Sequence, residues 1–506
     1  MSCLRSVFSV SLSLLVSVSA AAAVASAPKP NIVYILADDL GYGAVQALNP
    51  ARGKIKTPHL DRLAAQGMTF TDAHTGSSVC TPTRYGLLTG RYAWRTRLQR
   101  GVFDGTDNPP LIAESRLTVP AFLKQHGYTT AAIGKWHLGF LSERPSSAVA
   151  APAPSSVPKK KGADAGLPVG SRIIGGPITR GFDYFWGCSN ARTMSGLIEQ
   201  DRVIESLPPI EMLPRLERQS VRYISDHAAA AKAGKPFFLY IPLTSPHTPI
   251  LPTPDWQGKS GLGAYADFTM QTDAVVGNIL ATLDAHGLAE NTLVIFTADN
   301  GCSPAAGTPA LEQQGHFASA GFRGYKADIW EGGHRVPFLV RWPAKIKPAT
   351  ASAQTICHVD LLATCAEILG TPLPPNAGED SESLLPALLG LDRAPRREAV
   401  VHHSILGLFA IRQGPWKLAL CPGSGGWGAP LDAAARTAGL PEIQLYNLAV
   451  DPAESKNVHA ENPAVVARLR ALLDRYVAEG RSTPGPKQPN DVAVRLIPPA
   501  ARTTPE

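Results

Sequence analysis

The stretch Asn31-Ile-Val-Tyr-Ile-Leu36, followed at once by Ala37-Asp38-Asp39, decides the architecture. An unbroken apolar run rich in β-branched and aromatic side chains suits a strand covered by helices on both faces, not the alternating strand of a half-wetted sheet. Runs of the same kind recur at Tyr128-Thr-Thr-Ala-Ala-Ile133, Pro236-Phe-Phe-Leu-Tyr-Ile241, Thr292-Leu-Val-Ile-Phe-Thr297 and Pro337-Phe-Leu-Val-Arg341. Helical punctuation lies between them. Thr57-Pro58 opens one segment and Gly67 closes it, Thr118 and Gly127 bracket another, and an amphipathic stretch over residues 268–286 stops at Gly287. This alternation predicts an α/β fold with a large mixed, mostly parallel sheet sandwiched by helices. Near residue 395 the pattern changes. Val400-Val-His-His403, Phe409-Ala-Ile-Arg412 and Trp416-Lys-Leu-Ala-Leu420 read as antiparallel strands, and residues 463–479 as a terminal helix, giving a smaller C-terminal α+β domain.

The expected organisation is a signal peptide over 1–27, a catalytic domain over 28–394 with a flexible Ala/Pro/Ser-rich insertion at 142–171, the α+β subdomain over 395–482, and a flexible tail over 483–506. The leader is basic at Arg5, apolar over residues 7–18 and rich in small residues over 20–27. Its apolar run is shorter than the ~20 residues of a membrane span, so export to the periplasm or the extracellular space is expected, without a transmembrane anchor. The net charge of +7 does not indicate nucleic acid, because Arg5, Lys159 to Lys161, Arg481, Lys487, Arg495 and Arg502 supply much of it at the periphery. The cysteines left after the leader are irregularly spaced and form no metal motif.

The chemistry lies in the short segments just after the apolar runs. Asp38-Asp39, Gly134-Lys135-Trp136-His137, Ser245-Pro246-His247 and Asp299-Asn300-Gly301 each trail one of four runs. In an open parallel sheet, ligands bind just beyond the carboxyl ends of the strands. Any one of these pairs alone is a common turn, but four on one edge make a site. Asp38, Asp39, Asp299 and Asn300 offer only hard oxygens, which suit Ca²⁺ or Mg²⁺ rather than zinc. Cys80 opens an expected helix in Ser78-Val-Cys80-Thr-Pro-Thr-Arg84, where free N–H groups, the helix dipole and Arg84 would attract an anion. Taken alone, Cys80 is equally a buried thiol or half of a disulfide. On a strand, one of His402 and His403 would face the cleft and the other face away.

The chain resembles the type I sulfatases, the formylglycine-dependent arylsulfatase group of the alkaline-phosphatase-like superfamily. The motifs that carry the resemblance are Asp38-Asp39-Leu40-Gly41, Cys80 to Arg84 with Leu88-Thr89-Gly90-Arg91, Gly134 to Gly139, Arg180-Gly181-Phe182-Asp183 and Ser245-Pro246-His247. Asp299-Asn300-Gly301, Gly324-Tyr325-Lys326 before Trp330-Glu331-Gly332-Gly333, and Leu445-Tyr446-Asn447-Leu448 with Asp451-Pro452 complete them. Thr83, where the family more often has Ser, and the insertion after Gly139 depart from the pattern. The resemblance implies that a maturation enzyme oxidises Cys80 to Cα-formylglycine. One hydroxyl of its hydrate attacks sulfur, and the other then collapses to the aldehyde and expels sulfate. It implies Ca²⁺ held by Asp38, Asp39, Asp299 and Asn300, with residue 80 completing the shell and Asp299 helping to deprotonate the attacking hydroxyl. Arg84 and Lys135 would fix the diol, and Lys135 and Lys326 the sulfate. His137 would be the base for the second hydroxyl, and His247, with Lys326, the acid toward the leaving oxygen. His403 is a candidate substrate contact. Sulfated carbohydrate is the expected substrate, ahead of an aryl sulfate. The alternatives are a phosphate or phosphonate ester hydrolase of the same superfamily and an inactive carbohydrate-binding homologue.

Overall fold

A computed structural model describes residues 28–145, 166–391 and 396–496. The expected signal peptide, the centre of the 142–171 insertion and the final ten residues lie outside the described residues. Among those described, strand Asn31–Ala37 sits in the middle of a mixed sheet. It pairs in parallel with Phe237–Pro242 on one side and Thr292–Ala298 on the other, and Phe237–Pro242 continues in parallel to Thr129–Lys135 and then Tyr184–Cys188. Antiparallel strands flank this centre. Phe338–Arg341 pairs with Thr292–Ala298, and Gly196–Glu199 pairs with Tyr184–Cys188.

The unbroken apolar runs have a direct explanation. Ile32, Tyr34 and Leu36 enter one core while Val33, Ile35 and Ala37 enter the other, and every residue of the strand is buried. Strand side chains alternate faces, so a sheet with two dry faces needs apolar residues at every position. Helices Pro58–Gln66, Met212–Lys232 and Ala264–Ala285 cover one face, and Cys80–Thr89, Val119–Gln125 and Leu361–Ile368 the other. Thr118 caps Val119–Gln125 by accepting the N–H of Ala121 at 3.2 Å.

The smaller unit is a four-stranded antiparallel sheet in the order Val400–His403, Phe409–Gln413, Trp416–Ala419, Gln444–Asn447. Helix Pro463–Glu479 lays Leu469, Leu472, Leu473 and Tyr476 on it, and Tyr92 and Trp94 of the larger unit enter the same core.

Leu141–Glu143 pairs antiparallel with Arg172–Ile174 where the 142–171 insertion leaves and rejoins the fold; its residues 146–165 lie outside those described. Residues 483–496 are not a free tail. Arg91 donates to the Pro489 carbonyl and to Asp491, Arg95 donates to Asn490, and the Asp491 N–H returns to the Arg95 carbonyl at 2.8 Å. Two buried arginines with donors to spare hold the segment in place.

Candidate active site

Four parallel strands deliver their residues to one sheet edge. Asp38 and Asp39 follow Asn31–Ala37, Lys135 ends Thr129–Lys135, His247 follows Phe237–Pro242, and Asp299 and Asn300 follow Thr292–Ala298. The turns lock onto one another: the Asp38 N–H bonds the Ser245 carbonyl at 2.9 Å and the Asp299 N–H bonds the Ala37 carbonyl at 3.0 Å. Gly301 closes this edge against the Trp330-Glu331-Gly332-Gly333 segment. A Cβ at Gly301 would lie 1.8 Å from the Gly332 carbonyl oxygen, so no larger residue fits. Asp39 and His137 have φ of 65° and 55°, conformations rare outside glycine that cluster at functional sites.

Three carboxylates face three basic side chains here. Lys135 Nζ lies 2.6 Å from Asp38 Oδ2, Lys326 Nζ lies 2.6 Å from Asp39 Oδ1, and Arg84 donates through Nη2 and Nε to Asp299 Oδ2 at 2.7 and 3.1 Å. Pairing is incomplete on the other side: Asp38 Oδ1, Asp39 Oδ2 and Asn300 Oδ1 are buried with no hydrogen-bond partner. Unpartnered buried oxygens are costly, and three from adjacent turns are a donor set that fits a hard cation. The electrostatics agree. Burial and the neighbouring Asp38 push the Asp299 carboxyl up. Burial also presses on Asp39, but Lys326 and His247 hold it well below the usual carboxylate range.

Cys80 begins helix Cys80–Thr89, fully buried, at the floor of a cavity of about 750 Å³. Lys135, His137, His247 and Lys326 line the same cavity. Thr83 donates its hydroxyl to the Ser77 and Val79 carbonyls at 3.0 Å each, which secures the first turn. Burial pushes the Cys80 thiol up, with Lys135 and Lys326 opposing and Asp299 and Asp38 adding to the rise. An unmodified thiol here is thus protonated and a poor nucleophile. His137 donates Nε2–H to the Phe103 carbonyl at 2.8 Å and leaves Nδ1 buried and unpartnered. Burial and Lys135 hold this imidazole well below its ordinary value, so it is neutral, with the Nδ1 lone pair free to accept a proton. His247 donates from Nδ1 to the Thr248 carbonyl, which turns Nε2 toward Asp39 Oδ2 at 3.6 Å. Burial, with Lys326 and Lys135, pushes it down to about 3 against the pull of Asp39.

The structure therefore gathers Asp38, Asp39, Cys80, Arg84, Lys135, His137, His247, Asp299, Asn300 and Lys326 into one site. His403 is the exception. Its ring packs edge-on to Phe409 at 5.3 Å and bonds the Gln99 carbonyl, away from the cavity lining; only its backbone carbonyl approaches the site, accepting from Ser77 Oγ and the Ser78 N–H. His402 faces a second cluster with His74, His334 and Glu331. That cluster does not have the shape of a metal centre. The His334 and His402 rings stack at 3.6 Å and 12°, so their in-plane lone pairs run parallel, and Lys417 Nζ occupies the approach to His334 and Glu331 at 3.0 and 3.1 Å. Sequence reasoning missed the cavity's outer wall, formed by Phe103, Asp104, Asn190, Arg192 and Trp427. A solitary tryptophan in the glycine- and proline-rich run over residues 421–430 was the one available signal.

All six described cysteines are free and buried. No helix among the described residues is long and apolar enough to cross a membrane.

Comparison with known proteins gives a consistent result. The family model described as Sulfatase matches residues 30–371. The chain is similar to the N-acetylgalactosamine-6-O-sulfatase of Bacteroides thetaiotaomicron, 33% identical with 88% of this chain and 93% of that protein covered. It is also similar to arylsulfatase A of Homo sapiens, at 34% identity over 91% and 90% of the two chains. A solved Bacteroides thetaiotaomicron structure, from work on the metabolism of multiple glycosaminoglycans, superposes with a TM-score of 0.74 at 30% identity, over 89% of this chain and 99% of that one.

Proposed function

This chain belongs to the sulfatase family and is a sulfuric ester hydrolase, and we propose that it is exported and removes sulfate from carbohydrates, using a Cα-formylglycine made from Cys80 and a bound Ca²⁺. The observation that carries this reading is the placement of Cys80 at a helix N-terminus between Lys135 and Lys326, beside three unpartnered buried oxygens. The name of the Bacteroides relative, an N-acetylgalactosamine-6-O-sulfatase, supports a carbohydrate substrate.

Asp38, Asp39, Asp299 and Asn300 are the residues that would hold the metal, whose charge would stabilise sulfate oxygens in the transition state. Once converted, residue 80 supplies one hydroxyl for attack and a second whose collapse releases sulfate, so no water need attack the ester. The chain's own side chains do the rest. Arg84 is pinned by Asp299 and by the Lys135 carbonyl at 3.1 Å, so it can orient residue 80 without reorganising. Lys135 and Lys326 bind the sulfate oxygens; the carboxylates of Asp38 and Asp39 that they now pair with would be taken up by the metal. His137 Nδ1, neutral and unpartnered, takes the proton of the second hydroxyl. His247 is neutral at rest with Nδ1–H on the Thr248 carbonyl; the negative charge of an incoming sulfate ester raises its proton affinity so that Nε2 takes up a proton from solvent and passes it to the leaving oxygen, with Lys326 supplying the adjacent positive charge.

The test is turnover by the mature protein of aryl sulfate, aryl phosphate and aryl phosphonate esters beside a panel of sulfated saccharides: N-acetylgalactosamine 6-sulfate, N-acetylglucosamine 6-sulfate, and chondroitin and carrageenan oligosaccharides. Sulfate release from at least one saccharide, faster than any phosphorus ester, is the expected result. Faster phosphorus chemistry, or no turnover of any ester, would overturn it.

A further inference from the structure

The sulfate-binding floor occupies only the depth of a cavity whose volume, about 750 Å³, is that of a site for a much larger ligand. Its outer wall is built from parts the mechanism does not use. Trp427 lines it with 48% of its surface exposed, an unusual position for an indole with no partner ring. The loop that carries it is rigidly mounted. The Trp427 and Gly428 N–H groups both donate to Asp328 Oδ1, at 2.9 and 2.8 Å, and the Ile329 N–H bonds the Ser424 carbonyl at 2.7 Å. Asp328 lies two residues from Lys326, so the indole and the sulfate-binding lysine share one mount. Another part of the wall is polar. Asp104 and Arg192 face each other at 3.9 Å with 83% and 60% of their side chains exposed. Asn190 ties their loops together by donating to the Gly105 carbonyl at 2.9 Å.

We propose that Trp427 is a stacking platform for the pyranose ring that bears the sulfate, and that Asp104 and Arg192 read its hydroxyl or acetamido groups. A sugar ring has an apolar C–H face for the indole and a polar rim for planar charged side chains. A sterol or simple aryl group would satisfy the indole but would displace water from the Asp104–Arg192 pair without returning any hydrogen bond, whereas a sugar's hydroxyl or acetamido groups replace that water. This assignment rests on the carbohydrate reading above and names the residues that would enforce it.

The experiment uses the mature full-length protein with the saccharide of the panel that the wild type turns over fastest, and with 4-nitrophenyl sulfate in parallel. Trp427→Ala should raise KM for the saccharide about tenfold while kcat changes less than about threefold, with a clearly smaller effect on the aryl ester. Trp427→Phe, which keeps a flat ring, should recover most of the loss. Arg192→Gln, at an exposed position that leaves folding untouched, should raise the saccharide KM about fivefold. A saccharide KM within twofold of wild type in both Trp427→Ala and Arg192→Gln would overturn the platform while leaving the carbohydrate reading intact. Equal losses on both substrates would overturn it also, since the residues would then serve the sulfate alone. A wild type that cleaves only the aryl ester would overturn both readings.

Discussion

Calcium should be measurable as stability as well as activity, and the size of the effect follows from the site. Asp38 Oδ1, Asp39 Oδ2 and Asn300 Oδ1 have no partner in the fold, and each unmet buried acceptor costs about 1–3 kcal/mol. Binding an ion to them would relieve several kcal/mol, of which the observable part depends on concentration. At a hundredfold excess over Kd the native state gains about 2.7 kcal/mol. With an unfolding entropy near 2.1 cal/mol/K per residue, a chain of this length unfolding as one unit should gain about 2–3 °C, rising with the logarithm of calcium concentration. The assay is thermal unfolding of chelated protein titrated with Ca²⁺, read beside isothermal calorimetry. Asp299→Asn should abolish the shift and lower kcat/KM by about a hundredfold or more. The response also has a pH signature. Burial and Asp38 raise the Asp299 carboxyl in the folded state, and a raised carboxyl gives its full stability below its unfolded value and loses it as pH rises through the folded one. Chelated protein should therefore soften as pH climbs above the ordinary carboxylate range, and calcium affinity should climb with it as the competing proton leaves. A Tm indifferent to calcium, or stoichiometric zinc binding with no calcium binding, would refute the assignment.

In protein made with the maturation enzyme, the tryptic peptide carrying residue 80 should lose sulfur and two hydrogens and gain one oxygen; multiple turnovers by protein shown by mass spectrometry to hold only unmodified Cys80 would sink the formylglycine route. Cys80→Ala should be inactive with calcium binding intact, and Cys80→Ser should release at most one leaving group per molecule. His137→Ala should show that same single burst and then stall, because it lacks the base for the second hydroxyl; with burial and Lys135 holding His137 well below 6.5, the wild-type kcat should show no loss of this base between pH 6 and 8, and a fall in kcat titrating near 6.5 would contradict its neutral state. Lys417→Met removes the ammonium 3.1 Å from Glu331 and 2.8 Å from Glu454; Glu331 keeps Arg335 at 3.2 Å but Glu454 is left buried without its cation, which should cost about 3 kcal/mol in urea unfolding. Burial already pushes Glu454 up to about 7, so the loss should be smaller at pH 5.5, where a proton replaces the missing charge, than at pH 8; an equal loss at both would count against the pairing.

The parts of the fold legible in the sequence were those fixed by local pattern. Strand Asn31–Ala37 announces itself because both faces are dry, and helix Pro463–Glu479 because its punctuation is clean. The flanking strands over residues 172–206 were not visible. They are three to five residues long and partly exposed, so no apolar run marks them. Helix Ala264–Ala285 begins four residues before its apolar pattern suggested, because Asp267 ties the Gly258 and Ser260 N–H groups onto its first turn. The site divides in the same way. Residues at strand ends could be placed by topology alone, since parallel strands send the turns at their carboxyl ends to one edge. The cavity wall could not, because its loops are placed by contacts between distant segments, Asn190 on the Gly105 carbonyl and the Trp427 N–H on Asp328. Simple alternation misplaced His402 and His403 for a physical reason: both faces of that strand are covered, one by Phe409 and the other by the stacked His334.

The same strand shows what the smaller domain does for the reaction. The carbonyl of His403 accepts Ser77 Oγ at 2.9 Å and the Ser78 N–H at 3.0 Å, and the Ser78 carbonyl in turn accepts the N–H of Ala327, next to Lys326, at 2.9 Å. The two residues before Val79 and Cys80 are therefore held from one side by the C-terminal sheet and from the other by the segment that carries Lys326. Helix Cys80–Thr89 has no side-chain cap at its N-terminus, and the Thr83 hydroxyl ties its first turn only to Ser77 and Val79, the residues just before it; the clamp fixes where that whole turn points. A nucleophile at a helix start needs its N–H groups unbonded so that they can face an anion, which removes the usual local means of anchoring such a turn. Holding the preceding residues through a second domain resolves the conflict. It gives the antiparallel sheet a positioning role through main-chain contacts, although neither histidine side chain on its first strand reaches the cavity.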